Sequence, residues 1–355
     1  MNRLGVALLF VGLWLGNGCT SVPTSLPIPP PPAPVAAVPP AKIFAEITTP
    51  RGVIRCELFF QQAPLTVMNF VGLAEGTLGP SPRKPYFDGI VFHRVVPEFV
   101  IQGGDPTGTG RGGPGYTFPD EFATGLRHDV PGLLSMANSG PDTNGSQFFI
   151  TLGEARYLDY VHSIFGRVIE GHEVLTKIAR NDTMQVKIIR EGEAAENFRA
   201  DDEAFNAALA VASRAKPPHL IDRTTGNPPG DYWQSKYIEY RLGNLARFTG
   251  RHIYVRLFDT FDPNEPEQTR DQFAQDLLAK LHGPPGTLLA VHFADEEAWV
   301  LAGAPLDLAL PELKPPPPPR APVTSTDALA RQRQTRIYHA TGQMISSLID
   351  QTDPE

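Results

Sequence analysis

Between residues 43 and 189 the chain is cut into short stretches of alternating apolar and polar residues, separated by glycine and proline. Such a pattern fits antiparallel strands and excludes long helices. Residues 44–48 and 53–58 flank Pro50-Arg51-Gly52 and read as a hairpin. Further strands are expected at 91–95, 99–102, 133–136, 147–151 and 164–169. One helix is expected after Pro64 and Thr66, where Val67, Phe70, Val71 and Ala74 recur at helical spacing. Many short strands with few helices suggest a closed barrel or sandwich.

Other parts of the chain cannot fold this way. Prolines number 37 in 355 residues, about twice the usual share. Residues 23–40 read PTSLPIPPPPAPVAAVPP, and a second run fills 315–319. Proline lacks the N–H and fixes φ, so the first run is a stiff spacer rising ~3.1 Å per residue. Ahead of it, Arg3 precedes an apolar run over residues 4–15, then small residues and Cys19, the layout of an export signal. That run is shorter than the ~20 residues needed to span a bilayer. Cys19 is either an ordinary residue near a cleavage site or an acylated first residue of the mature chain. The segment resembles bacterial lipoprotein signals. With Thr20 following Cys19, the resemblance implies a lipid anchor on the periplasmic side of the outer membrane, the alternative being the soluble periplasm. Basic residues are outnumbered 31 to 39, which argues against a nucleic-acid partner. Two cysteines exclude a disulfide framework or a four-cysteine zinc site, and Cys56, within an alternating stretch, reads as a core thiol.

Three stretches are more specific: Phe92-His93-Arg94-Val95-Val96-Pro97-Glu98-Phe99-Val100-Ile101-Gln102-Gly103-Gly104-Asp105, Gly132-Leu133-Leu134-Ser135-Met136-Ala137-Asn138, and Thr143-Asn144-Gly145-Ser146-Gln147-Phe148-Phe149-Ile150. Together they resemble the cyclophilin family of peptidyl-prolyl isomerases over residues 43–190. The resemblance implies a mainly β fold, an eight-stranded antiparallel barrel capped by two helices, with a substrate groove on its outer face. It also implies that Arg94 is catalytic, donating to the amide nitrogen of the client proline. Substrate contacts carried over by the same motifs are His93, Phe99, Val100, Gln102, Ala137, Asn138, Gln147, Phe149, Tyr157, Leu158 and His162. Val100 stands where methionine is common in the family, and Tyr157 where animal members place tryptophan, which weakens the case for tight cyclosporin binding. No cofactor or metal is implied. The glycines of residues 103–113 lack the Gly-Lys-Ser/Thr ending of a phosphate loop and read as a shaped groove loop.

Past a helical extension and linker at 191–232, helix and strand patterns alternate, suggesting a smaller α/β domain over residues 233–350. Helices are expected at 232–249, 265–282 and 325–349, and strands at 252–258, 286–293 and 298–302. This region resembles, more weakly, the TPM domain family. Asp259, Asp262 and Asp295 could bind a cation or simply lie in solvated loops. An accessory or docking role for an unknown partner is expected, with no part in the groove. The chain as a whole is thus expected to be 1–18 signal, 19–42 tether, isomerase and C-terminal domain, acting on Xaa-Pro bonds of exported polypeptides. The alternative is a proline-binding chaperone or scaffold with negligible turnover.

Overall fold

The computed structural model describes residues 40–212, 220–223, 232–263, 267–281, 283–294, 298–303, 310–314 and 326–352. The expected signal, Cys19, the proline tether up to residue 39, the second proline run and Asp295 lie outside these residues.

Strands β1 (Lys42–Thr49) and β2 (Gly52–Leu58) form the expected hairpin, Thr49 facing Gly52 across Pro50-Arg51. Gly52 sits at φ 137°, where only glycine is comfortable. Helix α1 (Pro64–Glu75) begins on its proline. Strands β3 (Arg94–Val96), β4 (Val100–Gly103), β5 (Leu133–Met136), β6 (Phe148–Thr151), β7 (Ile164–Glu170) and β8 (Gln185–Glu191) follow, with a single-turn helix α2 (His172–Leu175) between the last two. All eight strands pair antiparallel in the order β3-β4-β6-β5-β7-β2-β1-β8. The segment before β3 meets the one before β8 through a bridge from Val91 to Thr183, with the Phe92 N–H donating to Asp182 O at 2.9 Å and the Met184 N–H to Ile90 O at 2.8 Å. These bonds close the sheet, which removes its exposed edges.

The strand expected at 91–95 starts later, at Arg94, because residues up to Phe92 make these closing bonds instead. The interior is filled by Phe70, Phe87, Phe148 and Phe165, whose ring centroids lie 5.0–5.8 Å apart. Cys56 is buried in the same core, and burial pushes its thiol pKa far up, so it is an unreactive packing group.

The expected extension is two helices, α3 (Glu193–Glu196) and α4 (Asp202–Val211). Asp201 caps α4, its Oδ1 accepting the Ala204 N–H at 3.0 Å. Phe205 then packs on Tyr116 and Phe118 of the barrel.

The C-terminal region is a four-stranded mixed sheet, order β12-β11-β10-β9, with helices α5 (Tyr232–Thr249), α6 (Arg270–Leu281) and α7 (Thr326–Thr352). Strand β9 (Leu220–Arg223) lies in the stretch read as linker and pairs parallel to β10 (Ile253–Phe258). Its four residues are too few to show a period. Strand β11 (Leu288–Phe293) is parallel to β10 and β12 (Ala298–Gly303) is antiparallel to β11. Helix α6 starts at 270 and not 265 because Thr269 and Gln272 form a reciprocal cap: Thr269 Oγ1 accepts the Gln272 N–H at 3.2 Å and Gln272 Oε1 accepts the Thr269 N–H at 2.8 Å. Asp259 is ion-paired with Arg333 at 3.4 Å. No described helix is long and apolar enough to cross a membrane.

This region packs on the barrel. Tyr160 of the barrel is buried in one cluster with Ile238, Leu242 and Leu245 of α5. Arg241 of α5 is 2% exposed. It donates to Asp159 O at 2.9 Å, Arg156 O at 2.7 Å, Gly342 O at 3.1 Å and Ser346 Oγ at 3.0 Å. Tyr240 donates to Asp120 at 2.5 Å, Asn244 to Tyr160 O at 2.9 Å, and Arg247 to Asp142 at 3.1 Å. Arg156 of the barrel in turn pairs with Asp350 of α7.

Candidate active site

The β3–β4 hairpin turns through Val96-Pro97-Glu98-Phe99, the Phe99 N–H donating to Val96 O at 3.2 Å and Glu98 held at φ 62°. Proline followed by a positive φ is a type II turn, and it sets Phe99 at the hairpin's tip. The register pairs Arg94 with Gln102, and Gln102 with Phe149 on β6. Cross-strand partners share a face, so these three residues line up across the outer surface of the sheet. Phe148, one step along, points inward to Phe70 and Phe87.

Arg94 is exposed but not loose. Its Nη1 donates to Gln102 Oε1 at 3.3 Å, Gln102 Nε2 donates to Gln147 Oε1 at 3.1 Å, and Gln147 Nε2 donates to Gly112 O at 2.9 Å. The guanidinium carbon stands 5.4 Å from the Phe99 ring centre.

The glycine loop that supplies the Gly112 carbonyl is wound around Asp105, whose carboxylate accepts the Thr107 N–H at 2.7 Å, the Thr107 hydroxyl at 2.8 Å, the Gly110 N–H at 2.5 Å and the Arg111 N–H at 3.1 Å. Burial alone would raise the Asp105 pKa, but these donors bring it down to about 2. A Cβ at Gly112 would meet Asp105 Oδ1 at 2.0 Å, so only glycine fits. The loop braces the groove, as its sequence suggested.

Beside Arg94 lies an apolar pocket. Val100, Phe149, Ala155 and Leu158 are buried together, with Phe99 and Ala137 half-buried against them. Phe99 stacks on Tyr157 at 6.0 Å. His162 meets the Phe149 ring edge-to-face at 5.4 Å, and its Nδ1–H donates to Met136 O at 2.9 Å. Burial, with His128 nearby, lowers the His162 pKa to about 4, so the ring is neutral near pH 7. The Asn138 side chain ties the loop together, donating to Val161 O at 2.8 Å and accepting the Gly140 N–H at 3.3 Å. A polar cleft of about 400 Å³, lined by Gln102, Gly112, Ala137, Asn138 and Gln147, adjoins the pocket.

The structure thus brings together Arg94, Phe99, Val100, Gln102, Ala137, Asn138, Gln147, Phe149, Tyr157, Leu158 and His162. His93 is the correction. It alternates with Arg94 on the chain and lies buried under the glycine loop, its Nε2 3.7 Å from where a Gly110 Cβ would stand, and not in the pocket wall. Burial, helped by Arg94, lowers its pKa.

The expectation that the C-terminal region stays clear of the groove also needs correcting. Tyr237 of α5 packs half-buried against the Val100, Phe149, Ala155 and Leu158 cluster. Arg241, one helical turn on, bonds the carbonyls of Arg156 and Asp159 and so clamps the short 3-10 turn Arg156–Leu158 that supplies Tyr157 and Leu158. One signal could have found these residues: Tyr237, Arg241 and Asn244 are spaced as one helix face, and an arginine and an asparagine among tyrosines on one face suit a buried interface.

Residues 44–195 match the family model described as cyclophilin type peptidyl-prolyl cis-trans isomerase. The peptidyl-prolyl cis-trans isomerase A of Mycobacterium tuberculosis is 54% identical over 152 residues, covering 40% of this chain and 84% of that protein. A peptidyl-prolyl cis-trans isomerase of Schizosaccharomyces pombe is 51% identical over 136 residues, covering 38% of this chain and 83% of that protein. A solved cyclophilin type isomerase from Cryptosporidium parvum shares 36% identity over 43% of this chain and 99% of its own, with a TM-score of 0.38. With the closed eight-stranded sheet and the groove built from its outer face, the relatives from Mycobacterium tuberculosis and Schizosaccharomyces pombe establish that the chain belongs to the cyclophilin-type peptidyl-prolyl cis-trans isomerases.

Proposed function

We propose that the chain isomerises Xaa-Pro bonds of exported polypeptides in the bacterial cell envelope, with Arg94 as the catalytic group. Rotation about such a bond meets a barrier of ~18–20 kcal/mol because amide resonance is lost. No bond is broken, so the catalyst needs only to hold the proline and favour the twisted amide, whose nitrogen regains a lone pair. The pocket of Val100, Phe149 and Leu158 takes the proline ring, with neutral His162 at its edge. Arg94 reaches over that pocket and donates an N–H to the proline nitrogen. A contact made only in the twisted state lowers the barrier, about 1.4 kcal/mol for each tenfold in rate. Gln102, Gln147 and the Ala137–Asn138 segment hold the flanking peptide.

The observation that carries this reading is the relay from the Gly112 carbonyl through Gln147 and Gln102 to Arg94, which fixes a guanidinium at the rim of an apolar pocket. The test is Arg94→Ala in a protease-free exchange assay on a proline peptide. Turnover collapsing while peptide binding persists supports it; unchanged turnover would mean that the groove merely holds clients.

The location is supported by the sequence around Arg3, the apolar run, Cys19 and the proline spacer. Acylated Cys19 anchors the chain and the spacer holds the barrel off the lipid surface. Intact-mass analysis of membrane-extracted protein checks this. A diacylglycerol mass on the first residue, lost in Cys19→Ser, is expected, whereas a lipid-free mature chain in the soluble periplasm overturns the anchor. The C-terminal unit is assigned to the groove and to docking of clients.

A further inference from the structure

The proline pocket does not end at the barrel. Tyr157 stacks on Phe99 on one side and is 48% exposed on the other, where it lines a cleft of about 410 Å³. The cleft is completed by α5 and α7, through Tyr237, Ile238, Thr335 and Tyr338. Tyr237 belongs to both spaces, since it also packs on the cluster of Val100, Phe149, Ala155 and Leu158 that floors the pocket. The pocket and the cleft are therefore neighbours that share one pair of tyrosines.

The surface of this cleft is apolar. Its one arginine, Arg241, has its guanidinium directed to the Arg156, Asp159 and Gly342 carbonyls and the Ser346 hydroxyl and is 2% exposed. The other lining groups are mostly aromatic ring and aliphatic side chain, together with the Thr335 hydroxyl and the His339 ring, whose Nε2 is bonded to Gln343 at 2.7 Å, and this surface suits an apolar occupant.

The direction of the bound peptide follows from where polar groups stand. The carbonyl that turns during isomerisation belongs to the residue before the proline, and the backbone there needs hydrogen-bonding partners. Gln102, Gln147 and the Ala137–Asn138 segment offer them on the other side of the pocket, around the polar cleft. The residue after the proline then leaves over Tyr157 and reaches Tyr237.

We infer that helices α5 and α7 form an apolar subsite for the side chain that follows the proline, so that the enzyme selects Xaa-Pro-aromatic and Xaa-Pro-leucine sequences. This rests on the groove assigned above. An apolar side chain that gains such a site in place of alanine is favoured roughly tenfold in kcat/KM.

The test uses the full chain and a protease-free exchange assay on the peptides Ala-Ala-Pro-Phe and Ala-Ala-Pro-Ala, both capped. The expected ratio of kcat/KM is roughly tenfold in favour of Phe, expressed through KM. Tyr237→Ala, and Thr335→Glu at an exposed position on the cleft, should each bring the ratio near one, while Tyr237→Phe keeps it. A wild-type ratio near one, or a ratio kept by both Tyr237→Ala and Thr335→Glu, overturns the subsite. So does a concentration-dependent dimer that Thr335→Glu dissolves without changing the ratio, since a second copy then covers the cleft.

Should Tyr237→Ala fail to fold, a peptide carrying benzoylphenylalanine after the proline is irradiated with the wild-type chain. Adducts within α5 or α7 support the subsite; adducts confined to residues 105–139 overturn it. Arg94→Ala separates the two readings, because it lowers turnover of both peptides equally if the groove is right, whatever becomes of the ratio.

Discussion

The two walls of the groove are held by different means. On one side Arg94 is exposed and oriented by a relay of side chains within the barrel, through Gln102 and Gln147 to the Gly112 carbonyl. On the other side the turn Arg156–Leu158 is fixed from outside the barrel by Arg241, buried and bonded to the carbonyls on both sides of Leu158. The exposed relay suits a group that must meet the substrate in water and adapt as the amide twists. The buried clamp suits a wall against which a proline ring must fit.

The contrast should appear most strongly in stability. Arg241→Ala takes the buried guanidinium away from the Arg156 and Asp159 carbonyls and from its 3.7 Å ion pair with Asp159 Oδ2, and removal of one partner from a buried pair costs about 3–5 kcal/mol. Denaturant unfolding of the full chain should show that loss, together with reduced turnover as Leu158 loosens. An unmoved midpoint would mean that the clamp contributes nothing and that the walls are equally self-supporting.

Arg94→Ala should do the opposite. We expect kcat/KM to fall by two or more orders of magnitude, about 3 kcal/mol of transition-state stabilisation, while the unfolding midpoint stays in place, since Arg94 is exposed. A stability loss as large as that of Arg241→Ala would erase the distinction between the walls.

A third test uses pH. His162 has an ordinary pKa of 6.5 that burial lowers to about 4. The unfolded chain therefore takes up a proton that the folded chain refuses, so the contribution of His162 to stability is full above about pH 6.5 and is lost as pH falls toward 4, up to about 3 kcal/mol. His162→Gln should flatten that part of the stability curve. A curve of unchanged slope between pH 6.5 and 4 would remove His162 from the pocket's electrostatics.

The smallest effect is expected from Tyr240→Phe, which removes the donor to Asp120 at the interface and leaves the groove untouched. A hydrogen bond to a charged acceptor contributes about 1.5–3 kcal/mol, and the loss should appear in thermal unfolding with turnover on a short peptide unaltered. A fall in turnover would show that the interface acts on the groove beyond the Arg241 clamp.

Much of the barrel was legible because its signals are local. The hairpin of residues 42–58 follows from alternation around Pro50-Arg51-Gly52, and α1 follows from Pro64 and its apolar spacing. Strand β8 escaped the pattern because it carries Lys187 and Arg190 among its apolar residues and gains its order from pairing with β1, far back in the sequence. Strand β9 was hidden by its length and by neighbouring prolines and glycines. In the site, Arg94, Gln102 and Phe149 were identified through motifs, yet His93 came with them although strand alternation turns it under the glycine loop.

What the sequence by itself determined is whatever a few neighbouring residues can specify: turns, strand period, helix caps, the glycine at position 112, and the motifs that mark the family. Only the tertiary structure decided that Tyr237 would meet the proline pocket and that Arg241 would clamp its wall. The Arg241 bonds alone join residues 82 and 85 positions apart along the chain. No local preference encodes them, because the free energy that selects them comes from burying α5 against the barrel and from satisfying an otherwise costly buried guanidinium.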